Sequence, residues 1–152
     1  MLFVKDSPGT VMTMKDAMKG YQYADLPMPI VGTYAKIREA FGRLIGNFQY
    51  TAFRLAEMAT EVQMGRTFLD DLIAKHIRGE SIVQEVSMAK FWLGEMVNRI
   101  AYQAVQIHDG YGYMEEYHIC RIYCDVRALS IFAGTSEIMK LIISKNLGLS
   151  PL

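Results

Sequence analysis

Two stretches of the chain repeat apolar residues at intervals of three and four, and together they leave few folds open. From Phe48 to about Arg78 the apolar positions are Ala52, Leu55, Ala56, Ala59, Val62, Leu69, Leu72 and Ile73, the spacing of one buried helical face. Arg54, Glu57, Glu61 and Asp71 fall on other sides. Gly79 is placed to end this helix, and Ser81 with Gln84 forms a capping-box signature for the next. That helix runs to about Ile107 with a stripe of Val86, Ala89, Leu93, Met96, Val97, Ile100, Ala104 and Ile107, broadened by Trp92 and Ala101. A helix apolar on so wide a face belongs inside a bundle.

The flanking segments are shorter. A first helix is expected from Val31 or Thr33 to Phe41, closed by Gly42, with a loop to Asn47. Gly110-Tyr111-Gly112 breaks the long helix, Glu115 and Glu116 suit the start of a shorter one through Arg127, and a last helix ends at Gly148. No segment alternates with period two for long enough to make a strand. Long helices joined by short loops read as an all-α antiparallel helical bundle over residues 31–150. Residues 1–30 read as an irregular arm, with a turn at Ser7-Pro8-Gly9, a short helix from Val11 to Lys19 interrupted by Gly20, and a break at Pro27-Met28-Pro29.

At 152 residues, half of them hydrophobic, the chain has enough material for one domain core. Its 16 basic and 16 acidic residues cancel, which argues against nucleic acid and against a polybasic membrane anchor. No run approaches the roughly 18 apolar residues of a transmembrane span, and the N-terminus lacks signal-peptide regions; a cytoplasmic protein is the expectation. Cys120 and Cys124, with His118 nearby, lack a fourth metal ligand and read as packing residues.

The chemistry points to Ile131–Lys140. The small-residue turn Ala133-Gly134-Thr135 opens the last helix, and such a turn aims backbone N–H groups and the positive end of a helix dipole at whatever lies in front. Thr135 or Ser136 also suits a plain helix cap; both readings stand. His108-Asp109 does not read as a catalytic dyad, because adjacent helical residues do not face each other.

Five motifs in order, Arg38-Glu39-Ala40-Phe41-Gly42, Phe48-Gln49, Gln106 to Tyr113, Asp125-Val126-Arg127 and Gly134 to Ile138, resemble the C-terminal helical domain of the acyl-CoA dehydrogenase family across residues 34–149. The resemblance implies a bundle of the up-and-down four-helix type, with FAD bound across a subunit interface. It makes Arg38 the partner of the FAD diphosphate, with Phe41 and Gln49 beside the nucleotide. It makes Gln106, Ile107, Asp109 and Gly110 a turn lent to a neighbouring subunit, and puts Thr135 and Glu137 against the cofactor. Where the family commonly has a second glycine, this chain has Asp109, which adds bulk and negative charge near a diphosphate.

The implied reaction removes an α-proton from an acyl-CoA thioester while a hydride leaves the β-carbon for the flavin, so it needs a carboxylate base and donors on the thioester carbonyl. Many relatives carry the base immediately before the Gly-Thr of this turn. Here that residue is Ala133, whose backbone N–H remains a carbonyl donor beside Gly134 on the substrate side. Relatives that take the base from an upstream helix would place it near Met12, where the chain has no Glu. The resemblance thus implies a C-terminal domain without the N-terminal helical and middle β domains, inactive alone. The alternative is a non-catalytic oligomerisation module, or one component of a split flavoenzyme whose partner chain supplies the missing domains. Either way a homo-oligomer and a role in fatty acid metabolism are implied, with acyl-CoA bound only if a complete site forms.

Overall fold

The computed structural model describes residues 27–149. The turn at Ser7–Gly9, the helix from Val11 to Lys19 and the position near Met12 lie outside them. Among the described residues the elements are α1 (Pro27–Ile37), β1 (Glu39–Ala40), β2 (Arg43–Leu44), α2 (Gln49–Ile77), α3 (Val83–His108), α4 (His118–Arg127) and α5 (Ser136–Asn146). The all-α bundle is what the two long periodic stretches required.

α3 is the axis of the bundle and packs against every other helix. Val86, Ala89, Leu93, Met96, Val97, Ile100, Ala101 and Ala104 are all buried, as its stripe predicts, with Ile107 and Trp92 half-buried. Val31, Met58, Val62, Leu72, Ile119, Ile122, Val126 and Leu129 close around it. The stripe of α2 is only partly the expected one. Met58, Val62, Gly65, Leu69 and Leu72 are buried, at intervals of four and three, whereas Ala52, Ala56 and Ala59 are exposed. An alanine fits either environment, so its spacing carries less information than that of Leu or Val.

Local chemistry moves several boundaries. α1 includes Pro27 and Pro29, upstream of the expected start at Val31 or Thr33, so the Pro27-Met28-Pro29 stretch does not break the helix. It also ends early. Arg38 to Gly42 does not extend the helix; Glu39 pairs with Leu44 and Ala40 with Arg43 in a tight hairpin. The two turn residues, Phe41 and Gly42, have φ of 53° and 76°, as a two-residue hairpin with both centres left-handed requires. The Ser81 capping box does not form: α3 is preceded by Ile82, which makes no side-chain cap and is 2% exposed, so burial of its side chain sets the entry. α4 begins at His118, after exposed Glu115 and Glu116. Gly148, with φ of 78°, closes α5 as expected, and Leu149 N–H donates to the Ser144 carbonyl. Cys124 is exposed and so is not a packing residue; Cys120 is half-buried.

Candidate functional site

The residues singled out by sequence fall into two groups, one around the α3–α4 connection and one at the α4–α5 connection. In the first, α1 delivers Arg38 and the end of α3 delivers Ile107, Asp109 and Gly110 to one open cavity of about 420 Å³, shared with Tyr34 and Tyr111. The Arg38 guanidinium lies 5.1 Å from the centre of the Tyr111 ring, a cation held on an aromatic face. Beneath it the His108 ring stacks on Tyr34 at 4.1 Å. His108 is 1% exposed, and its Nδ1 lies 2.7 Å from the Ala104 carbonyl. A carbonyl can only accept, so Nδ1 carries the proton. Burial lowers the His108 pKa, and that hydrogen bond opposes it. Through Nδ1 the ring is thus tied to its own helix.

Asp109 takes φ of 54° and ψ of −140°, a region that normally belongs to glycine. Its carboxylate also stands at the negative end of the α3 dipole, where an anion is disfavoured. Phe41, Gln49 and Gln106 are exposed and do not line the cavity. Phe41, at the hairpin tip, is 96% exposed and touches Phe48 edge to face at 6.3 Å.

The second group is the turn before α5. Ala133 and Gly134 both have positive φ, 53° and 97°. Thr135 is the helix cap, its Oγ1 accepting from Ile138 N–H at 3.3 Å, so the plain capping role is real. The Glu137 pKa is lowered first by its own backbone N–H and then by the Thr135 hydroxyl. Thr135 and Glu137 line a polar cavity of about 550 Å³ together with Arg99, Arg127, Ser136 and Lys140. It shares no residue with the Arg38 cavity.

This turn is tied to α3 by side chains that sequence reasoning passed over. Lys90, 3% exposed, donates to the Leu129 carbonyl at 2.7 Å and to the Gly134 carbonyl at 2.9 Å. Asn98 donates to the Gly94 and Val126 carbonyls at 2.7 and 3.1 Å. Ser136 donates to Glu95 at 2.5 Å, and Arg127 to Ser130 at 2.6 Å. The signal for Lys90 was available, since a lysine one place after Ala89 and three before Leu93 interrupts a wide apolar face.

Among the described residues no cluster of His, Cys, Asp or Glu is placed to hold a metal, and no helix is long and apolar enough to cross a membrane. Chemically, the first group offers a cation, an aromatic face and backbone close to a cavity. The second offers a backbone turn at a helix N-terminus, with hydroxyl and carboxylate groups, and a methyl group at Ala133.

Residues 17–148 match the family model for the acyl-CoA dehydrogenase C-terminal domain. The rat mitochondrial long-chain specific acyl-CoA dehydrogenase is 40% identical over 114 residues, which is 75% of this chain and 26% of that protein. A subunit of the caffeyl-CoA reductase–Etf complex of Acetobacterium woodii is 40% identical over 73% of this chain and 29% of its own length. In structure, the acyl-CoA dehydrogenase of Geobacillus kaustophilus superposes with a TM-score of 0.91 at 47% identity, covering 93% of this chain and 37% of that one. The chain thus spans about a quarter to a third of the length of these curated relatives. A family model matched over most of the chain and a bundle that superposes on an acyl-CoA dehydrogenase of known structure have one explanation: the chain belongs to the acyl-CoA dehydrogenase family and contains its C-terminal helical domain.

Proposed function

We propose that this chain supplies the C-terminal part of a FAD-dependent acyl-CoA dehydrogenase site, and that by itself it does not complete the reaction. Relatives in this family are FAD-dependent flavoproteins. The observation that carries the reading is the turn from Ala133 to Glu137, where two successive residues of positive φ lead into a capped helix N-terminus. That arrangement presents backbone donors to a carbonyl or flavin oxygen. Ala133 has no proton acceptor, so removal of the α-proton falls to a carboxylate from elsewhere.

The Arg38 cavity suits the other end of the cofactor in most respects. A guanidinium meets a diphosphate through charge-assisted bonds, Tyr111 offers a ring face, and a Cβ at Gly110 would meet nothing within 4 Å. Asp109 runs against this fit, since its carboxylate repels a diphosphate brought near it. The separation of the two cavities supports a site in which each cofactor touches more than one chain.

A second reading, in which the domain serves oligomerisation or a split enzyme, is favoured by its exposed large apolar residues. Phe41, Tyr50, Phe53, Tyr113, Ile77 and Leu147 are each more than half exposed, more than a lone bundle gains from showing to water. The relative in an Etf complex makes an electron-transfer flavoprotein a reasonable electron partner.

Amide NMR of the isotopically labelled chain, titrated separately with ADP and riboflavin 5′-phosphate, tests the reading. ADP is expected to shift Arg38, Gly110 and Tyr111, and the flavin to shift Thr135 to Glu137. Arg38→Ala should weaken ADP about tenfold or more, the loss of a charged hydrogen bond. Shifts at neither group, up to millimolar ligand, would overturn the assignment.

A further inference from the structure

Lys90 is an ammonium set into the apolar face of the central helix. Ala89 and Leu93 beside it are completely buried, and Lys90 itself is 3% exposed. Burying that charge is costly unless it is hydrogen-bonded. Two of its acceptors lie 39 and 44 residues further along the chain, the carbonyls of Leu129 and Gly134, at 2.7 and 2.9 Å. The Phe132 ring, between those two residues in sequence, has its centre 5.7 Å from the same nitrogen. One cation therefore grips both ends of the segment that contains Ala133.

That segment needs a grip. Ala133 has φ of 53° and Gly134 has φ of 97°, and a non-glycine residue of positive φ persists only where its surroundings hold it. The Thr135 cap fixes the helix side through Ile138, and Asn98 fixes the chain before the turn through Val126. Between these two anchors, Lys90 acts on the turn itself. The electronic consequence follows from the peptide group. A cation on the Gly134 carbonyl oxygen draws electron density from the amide that ends in the Thr135 N–H and makes that N–H a stronger donor. The Leu129 carbonyl couples in the same way to the Ser130 N–H.

We propose that Lys90 is a positioning residue for the Ala133–Thr135 turn, its ammonium holding the Leu129 and Gly134 carbonyls so that the turn's backbone donors face the ligand. The proposal rests on reading this turn as the flavin and thioester side of the site. Its effect on the turn is observable without any ligand.

The test compares wild type with Lys90→Met, which keeps an unbranched stem and removes the charge and donors. In amide NMR, Ser130 and Thr135 should move upfield, and hydrogen exchange over Ala133–Thr135 should accelerate about tenfold or more, while α1 and α2 resonances stay in place. Shifts of Thr135 on adding riboflavin 5′-phosphate should weaken together with these changes. Ser130 and Thr135 amides that coincide with wild type in the folded variant would overturn the proposal. If Lys90→Met does not fold, the wild type decides: scalar coupling across hydrogen bonds from Lys90 Nζ to the Leu129 and Gly134 carbonyl carbons is expected, and its absence overturns the proposal. A wild type that ignores the flavin removes the functional reading of the turn but leaves the amide comparison to decide the role of Lys90.

Discussion

The two halves of the candidate site are built in opposite ways. Around Gly134 several polar anchors come from α3: Lys90 is nine-tenths buried or more, and Asn98 and Glu95 are half-buried. Around Arg38 the functional groups are exposed and the backbone is strained at Asp109 and Phe41. One half is prepared within the chain. The other half presents side chains to the outside, the form expected of a surface completed by something else.

Both halves depend on α3, so the largest effect should come from its core. Leu93 is wholly buried, and Leu93→Ala should cost about 3 kcal/mol in urea unfolding, loosening the amides of both turns together. If only the Gly134 side responds, the halves do not share a scaffold. A smaller effect of opposite sign is expected at the open half. Asp109→Gly should stabilise the chain by roughly 1 kcal/mol, seen as a higher urea midpoint, and should tighten ADP binding; a destabilised variant would mean that the carboxylate has a structural partner.

The smallest effect concerns pH. Burial holds His108 below the ordinary 6.5 in the folded chain, while the unfolded chain takes up that proton near 6.5. Between the two values the unfolded state binds more protons, so stability is complete above about 6.5 and is lost as pH falls through that window toward the folded pKa. The urea midpoint should drop on going below pH 6.5, and His108→Gln should flatten that part of the curve. An unchanged slope in the variant would assign the loss to other groups.

How much of this was legible depended on how much each side chain says about its surroundings. The stripe of α3 was readable because Val, Leu, Met and Ile are seldom misplaced on a wide face. In α2 the alanines at 52, 56 and 59 fit the period and yet face outward, while Met58 and Gly65 are buried. The hairpin at Glu39 to Leu44 was hidden because Arg38-Glu39-Ala40-Phe41 is good helical material and Gly42 also suits a helix end. The motif residues were found by resemblance, and the structure brings Arg38, Ile107, Asp109 and Gly110 into one cavity while Phe41, Gln49 and Gln106 stay outside it. Lys90 escaped because a lysine on a long helix is usually solvated, and its acceptors are visible only once the chain has folded back.

The decisive measurement is acyl-CoA-dependent reduction of an electron-acceptor dye by the purified 152-residue chain with added FAD, across short, long and branched acyl groups. With Ala133 in place of a proton acceptor, no reduction above the protein-free rate is predicted. Sustained turnover that is proportional to protein and retained through purification would contradict it, and would require a proton-accepting base elsewhere on this chain.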